Sequence, residues 1–396
     1  MEGSVLPEYC SHSALTSEQD IYGSRPGHQN FHKDPIHVGS IQTVPGVSTI
    51  TMADDTTHAR QRRALSHAFS TKALLEQEYI IKSYIDTFSK KMQGFARTGE
   101  TVNLTDWFAF TTFDIIGDMA LGEPFGCLES KEFHFWVPLI SESIAAGAFE
   151  QATRRLATAD SWMQKQLLRL IPDYIRVKRR EHLAYSKEKI LKRMQQTNSE
   201  HKDFLYYLMK QQEGGSLDVN EVIVNGALFI IAGTETTAGF LSGLFNQLLR
   251  PENKRVLDHL VTDIRGAFAS EEDIRFEELL KMSYLTAVIE EGLRIFPSAP
   301  IGFTRTVPMG GDTVVGEYIP AGVGPQPEVL AITLALLTSR QTTVSVCMWA
   351  ATHSERNFHD PYIFKPERWL DKENAVDKLG ASNPFSLGPR GCIGKK

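Results

Sequence analysis

Between Val222 and Ile231 the chain reads Val-Ile-Val-Asn-Gly-Ala-Leu-Phe-Ile-Ile, with Asn225 as its one polar side chain. A helix apolar nearly all round has no face to offer water, so it must be buried. The rest of the fold has to be assembled around it. Asp218 and Glu221 stand at capping-box spacing, D-x-x-E, and mark its start. The same helix then runs into Ala232-Gly233-Thr234-Glu235-Thr236-Thr237. Glycine costs ~1 kcal/mol relative to alanine there, and threonine hydroxyls compete for backbone carbonyls and bend helices. A breach of local rules inside a buried helix predicts a local distortion with a purpose. A polar kink without chemistry is the alternative.

The other helices and a small β region follow from periodicity. Thr56–Ser70 reads as a helix with Ala64, Leu65 and Ala68 on its apolar face. His58 and Arg62 are four apart and share a face, which suits a pair of carboxylates or, more plainly, a solvated basic helix. Residues 74–125 alternate helical periodicity with short breaks, and Phe108, Phe110, Phe113, Ile115 and Ile116 look like core. Residues 131–195 are mostly helical. They carry a basic run, Arg176 to Arg193, which reads as a surface for anionic lipid or as an ordinary solvated face. Leu285–Ile295 is a further helix, ended by Pro297. In it Glu291 and Arg294 are three apart among apolar residues; burial of that pair needs further partners, and Arg368 in Phe-Lys-Pro-Glu-Arg-Trp is a candidate. Residues 299–322 carry turn signals between short extended runs such as Thr313–Val315, and Thr342–Trp349 reads as another strand. Residues 1–50 read as loop with short pieces of structure, and His12, His28, His32 and His37 as surface groups.

Bulk properties exclude several classes. The 396 residues, 42% hydrophobic and 23% charged, are of ordinary globular composition. That length admits two domains or one large cofactor-centred helical domain. A formal net charge of -6 argues against a nucleic-acid partner. Cys10, Cys127, Cys347 and Cys392 are scattered without a C-x-x-C pair, which points to neither a disulfide framework nor a zinc site. A reducing compartment fits this usage. Residues 1–30 lack a signal-peptide core. No stretch reaches the ~20 apolar residues of a membrane span, Val329–Leu337 being the best candidate.

The last thirteen residues hold Phe385-Ser386-Leu387-Gly388-Pro389-Arg390-Gly391-Cys392-Ile393-Gly394. Glycines let the backbone turn sharply and approach a flat ligand. Amides directed at the Cys392 sulfur favour the thiolate, and a thiolate is a good axial ligand for haem iron. Arg390 is placed for a carboxylate such as a haem propionate. A buried structural cysteine is the bland alternative. A phosphate loop fails on spacing, since Gly388 to Gly394 is one residue too long and Lys396 stands where Ser or Thr is required.

The pattern F-x-x-G-x-R-x-C-x-G resembles the haem-binding loop of the cytochrome P-450 superfamily, and four further signatures follow that family's order. Ala232–Thr237 resembles its distal oxygen-binding helix, which implies that Glu235 and Thr236 deliver protons. Glu291-x-x-Arg294 and Arg368 resemble its structural triad. His58-x-x-x-Arg62 resembles W-x-x-x-R, with His in place of Trp as a propionate donor. The resemblance implies Cys392 as iron ligand, Arg305 and Arg390 on the propionates, and Phe385 and Gly394 in the cofactor loop. It further implies a mainly α fold with a small β region, as one domain over residues 1–396, and haem b with an axial thiolate. The implied reaction inserts one oxygen atom from O2 into a small apolar substrate, with electrons from NADPH through a flavin reductase. Arg60 and Arg63 would then belong to a basic docking face or to a solvated one. The wording of Ser17–Gly23, His58–Arg63 and Ala232–Thr237 is most like the fungal microsomal branch near trichothecene-type hydroxylases of secondary metabolism. That branch works at the cytoplasmic face of the endoplasmic reticulum membrane. The substrate pocket would draw on residues 298–303, 30–50 and 140–155.

Three departures stand out. The family's N-terminal anchor and first elements are missing from this chain, and so is its helix after the cysteine loop. Val323–Gln341 also intervenes where the family passes from Pro-Ala-Gly directly into Thr-Val-Ser-Val. Valine codons begin with GT and a glutamine codon can end in AG, so residues 323–341 are expected to be a translated intron, and the abrupt end a second gene-model error. A non-catalytic truncated remnant of such an enzyme is the alternative function.

Overall fold

The computed structural model describes residues 14–34, 44, 46–137, 140, 147–149, 151–153, 156–157, 161–170, 172–196, 201–321, 342–371 and 376–395. Residues 323–341, with the Val329–Leu337 run, lie outside these, as do Cys10, His12, His37 and much of 140–155. The chain forms two compact units. One comprises Met1–Asp34 with Gly243–Cys392, the other Pro35–Ser242 with Ile393–Lys396.

The second unit is helical. Its main helices are Asp55–Leu65, Thr71–Thr98, Leu104–Leu121, Asp173–Met194, Phe204–Glu213 and most of Val219–Leu248. The first is shorter than its periodicity predicts. Asp54 caps it by accepting from the amides of Thr56 and Thr57, and Ser70 caps the next helix through the Ala73 amide, so the chain between them turns. Thr71–Thr98 and Leu104–Leu121 each stop at a left-handed glycine, Gly99 and Gly122. The core includes Leu65, Ile80, Phe110, Phe113, Trp136, Ile223 and Ile230. Each such fully buried side chain stabilises the fold by roughly 1.5–3 kcal/mol.

The Val219–Leu248 helix holds the centre of that core, with Val222, Ile223, Val224 and Ile230 at 0–1% exposure. It starts as its sequence predicts. The Glu221 amide donates to the Asp218 carboxylate at 3.0 Å, and the Asp218 amide donates back to Glu221 at 3.1 Å. Buried Asn225 donates to the Glu221 carbonyl and accepts from the Ile50 amide. By length and composition the whole helix would also cross a membrane. A count of consecutive apolar residues misses this, because short polar interruptions leave the mean hydropathy high.

The C-terminal end of the basic run before it is paired within its own unit. Arg193 is 4% exposed and donates to fully buried Asp203 at 2.6 Å, while Lys189 and Lys192 both hold Glu123. Arg180 and Lys187 are exposed.

The first unit joins helices Ala14–Tyr22, Lys254–Ala267 and Ser283–Ile295 to five short strands. Strands β1 (His32–Lys33), β2 (Arg305–Thr306) and β5 (Thr343–Val344) form one antiparallel sheet in the order β1-β2-β5. Strands β3 (Asp312–Val314) and β4 (Glu317–Ile319) form a hairpin. Its strand ends at Val314, one residue earlier than expected, because Val315 and Gly316 take positive φ angles of 56° and 80° in the turn. The Asp20 carboxylate receives the Val315 amide at 2.8 Å. The strand expected over Thr342–Trp349 is also cut short. Past Val344 the Val346 amide is taken by the Tyr22 hydroxyl, and Met348–Thr352 becomes helix.

Candidate functional site

Glu291 accepts five hydrogen bonds in the first unit. It sits on Ser283–Ile295 with no exposure, as does Arg294. Its two oxygens accept from Arg294 Nε at 2.8 Å and a terminal nitrogen at 2.9 Å, Arg368 Nε at 3.1 Å, the Lys365 amide at 2.8 Å and Trp369 Nε1 at 2.9 Å. Arg294 spends its other donors on the carbonyls of Thr352, Pro361 and Ile363. Arg368 reaches Asp377 as well. The Phe358 ring lies 5.1 Å from the Arg294 guanidinium and 5.8 Å from that of Arg368. Two acids face two arginines, and the remaining donors end on backbone carbonyls, which is the condition for burying such charges. The structure therefore brings Glu291, Arg294 and Arg368 together and pins the Thr352–Trp369 segment to the helix. Trp369, Asp377 and Phe358 were not singled out by the sequence. Only Trp369, adjacent to Arg368, carried a signal.

The cysteine loop follows that segment. Cys392 is a free, exposed cysteine. Its amide donates to the Phe385 carbonyl at 2.8 Å, and the Gly391 amide donates to the Gly388 carbonyl at 3.0 Å. These two amides close the loop on itself. Gly388 has φ 69°, and a Cβ there would lie 1.9 Å from the Tyr22 carbonyl oxygen. This glycine serves contact with the Ala14–Tyr22 helix, not approach to a ligand. Gly394 is exposed in the last turn, with φ -85°.

The same helix braces the loop with Glu18, which is 1% exposed and accepts from the Asn383 amide nitrogen. Burial raises the Glu18 carboxyl from 4.5 to about 7, against the lowering effect of that bond. A folded-state value above the unfolded one gives stability that is full below about pH 4.5 and lost as pH rises through 7. Glu18→Gln is expected to raise stability at pH 8 by roughly 2–3 kcal/mol and to leave it unchanged at pH 4. Denaturant unfolding at the two pH values measures this; an equal gain at both would contradict it.

Arg305 lies in β2 at 4% exposure, with its guanidinium 5.0 Å from the Tyr22 ring centroid. It donates to the Thr304 carbonyl. Arg390 is half-buried, and both it and Arg305 act electrostatically on Lys33.

In the helical unit, Ala232, Glu235 and Thr236 are exposed while Thr234 is buried. No break interrupts the helix here. Thr236 Oγ1 donates to the Ala232 carbonyl at 2.6 Å and Thr234 Oγ1 to that of Ile230 at 2.8 Å. A Cβ at Gly233 would lie 2.6 Å from Ile116 Cδ1. That glycine permits close packing against Leu104–Leu121. His58 is buried and Arg62 half-buried on one face of Asp55–Leu65. Arg60, about half exposed, donates to Glu221 and to the Ser216 carbonyl. Burial raises the Glu221 carboxyl, but the bonds from Arg60, Gln61 and the Asp218 amide outweigh it and hold the group at about 2. Arg63 is exposed. Of the expected pocket segments, 298–303 is described, with Ile301 and Phe303 exposed.

A family model described as cytochrome P-450 matches residues 21–332 and 338–396. The residues between the two matched stretches, 333–337, lie inside 323–341. The chain is 40% identical over 395 residues to the cytochrome P-450 monooxygenase aba2 of Botryotinia fuckeliana, covering 99% of this chain and 71% of that one. It is 38% identical to ABA2 of Pyricularia oryzae, covering 99% and 72%. It is 40% identical to astJ of Aspergillus oryzae, covering 99% and 74%. Among solved structures, the heme domain of a mutant cytochrome P-450DA superposes with a TM-score of 0.69 at 18% identity, covering 92% of this chain and 74% of that one.

Proposed function

The chain belongs to the cytochrome P-450 family of fungal monooxygenases, and from that premise we propose a haem b-thiolate enzyme that oxidises a small apolar compound of secondary metabolism. The observation that carries this is the exposed Cys392 on a self-closed loop, together with the family match on both sides of it. The residues fit the cofactor. A free thiol stands next to a half-buried Arg390, and Arg305 lies in the same unit. Haem iron, when bound, supplies the activation of O2.

The chain's own residues then have separable tasks. Cys392 Sγ binds the iron. Arg390 and Arg305 hold carboxylates of the porphyrin, while His58 and Arg62, on one face of Asp55–Leu65, are a pair of donors suited to a carboxylate. The Phe385 carbonyl fixes the position of Cys392 by holding its amide, with Gly394 closing the loop beyond it. The Glu291–Arg294–Arg368 knot positions the segment that leads into the loop. The Thr236 hydroxyl, which donates its hydrogen to the Ala232 carbonyl, can turn that hydrogen toward another acceptor and so deliver a proton, with Glu235 as the acid that replenishes it. Ile301 and Phe303 offer apolar surface to the substrate. Electrons come from NADPH through a flavin reductase at the cytoplasmic face of the endoplasmic reticulum membrane.

Thr236→Ala tests the proton role. A positioned proton donor is worth roughly a hundredfold or more, so product per O2 consumed should fall at least about tenfold. Peroxide should be released while haem stays bound. Fully coupled turnover in this variant would refute the role.

A further inference from the structure

The helical unit carries a cavity of about 340 Å³ where the first turn of Thr71–Thr98 meets Phe204–Glu213. That size suits a small organic ligand. Ser70 caps the first of these helices through the Ala73 amide, and the first backbone bond runs from the Leu74 amide to the Ser70 carbonyl. The amides of Thr71 and Lys72 come before that bond, so they are end donors of a 28-residue helix. Lys72, Lys202 and Lys210 converge on the same space. One acid stands among them. Glu76 is held by the Lys202 ammonium at 3.1 Å and by the Tyr207 hydroxyl at 2.7 Å. Three ammonium groups thus face one carboxylate. The Tyr206 hydroxyl accepts from Lys210 Nζ at 2.7 Å, which leaves its own hydrogen to give. Gln77 is fully buried one turn after Ala73, a residue of the cavity wall, and neither atom of its side-chain amide has a hydrogen-bond partner. Helix side chains lean toward the N-terminus, so Gln77 leans toward the Ala73 turn. A buried amide without a partner is costly, and a polar ligand reaching this turn would relieve it.

We infer that this cavity binds a phosphate monoester carried on an apolar organic group. Such a phosphate is close to a dianion at neutral pH. Its oxygens accept at once from ammonium groups and from the end amides of a helix. The rings of Tyr206 and Tyr207, 5.1 Å apart and nearly perpendicular, supply an apolar wall for the rest of the ligand. The site lies wholly within the helical unit and does not depend on the haem reading.

Calorimetric titration of the full chain with phenyl phosphate at low ionic strength tests this. Saturable binding is expected, tighter than that of inorganic phosphate. Lys72→Gln and Lys210→Gln should each weaken it roughly tenfold, as for loss of one charge-assisted hydrogen bond. Glu76→Gln should strengthen it, because it removes the negative charge that faces the ligand. Gln77→Leu should weaken it too, which an effect of surface charge alone would not do. Lys254→Gln, at a surface lysine of the other unit that pairs with Asp258, should change nothing. Phosphatidylcholine vesicles with phosphatidic acid separate the sources of the phosphate. Vesicle binding that phenyl phosphate displaces assigns the site to a lipid headgroup, and binding no better than to plain vesicles assigns it to a soluble ester. Absence of saturable phenyl phosphate binding, or an equal loss in Lys254→Gln, would overturn the site.

Discussion

Replacing Glu291 by alanine is expected to prevent the chain from reaching a stable fold. The substitution removes the acceptor of five hydrogen bonds and leaves Arg294 and Arg368 facing each other across a cavity. Removing one partner of a buried ion pair costs about 3–5 kcal/mol, against a total stability of roughly 5–15 kcal/mol for a typical protein. Glu291→Gln should recover the shape but not the charge, and its amide nitrogen would confront a guanidinium. Soluble yield and the urea midpoint measure both effects. The alanine variant should be insoluble or have a midpoint lowered by at least about 1 M, at a slope of 1–3 kcal/mol per M. An unchanged midpoint would show that the knot does not hold the segment before the cysteine loop.

Cys392→Ser should do the opposite, removing function while sparing the fold. The Cys392 side chain is exposed, and its contribution to loop closure is a backbone amide bonded to the Phe385 carbonyl, which serine retains. The expected variant unfolds at the wild-type midpoint, has no monooxygenase turnover and lacks a thiolate-type spectrum. Residual turnover above background would mean that the sulfur is not the group that tunes the iron.

The elements legible in the sequence are those governed by local rules. The Val219–Leu248 helix announced itself by an apolar run and a capping box, and both ends of the Glu291–Arg294 pair sit on one helical turn. Arg368 was legible only as a companion in a short motif. What escaped was long-range pairing. Asp377 completes the knot from 86 residues beyond Glu291, and Phe358 approaches both guanidinium groups from a loop without periodicity. The partner of Arg60 escaped as well, because no local feature reveals that Glu221, 161 residues later, takes both of its terminal nitrogens. The close approach at Gly233 escaped for the same reason, since Ile116 belongs to another helix. Strand ends were misplaced for a similar reason: a Tyr22 hydroxyl and an Asp20 carboxylate outcompete the ladder for the amides of Val346 and Val315.

Carbon monoxide added to the reduced, haem-loaded chain tests the sulfur–iron bond at Cys392 most directly. A strongly red-shifted Soret band that disappears in Cys392→Ser is the predicted result. A band at the position of a haem without thiolate, the same in both proteins, would contradict it.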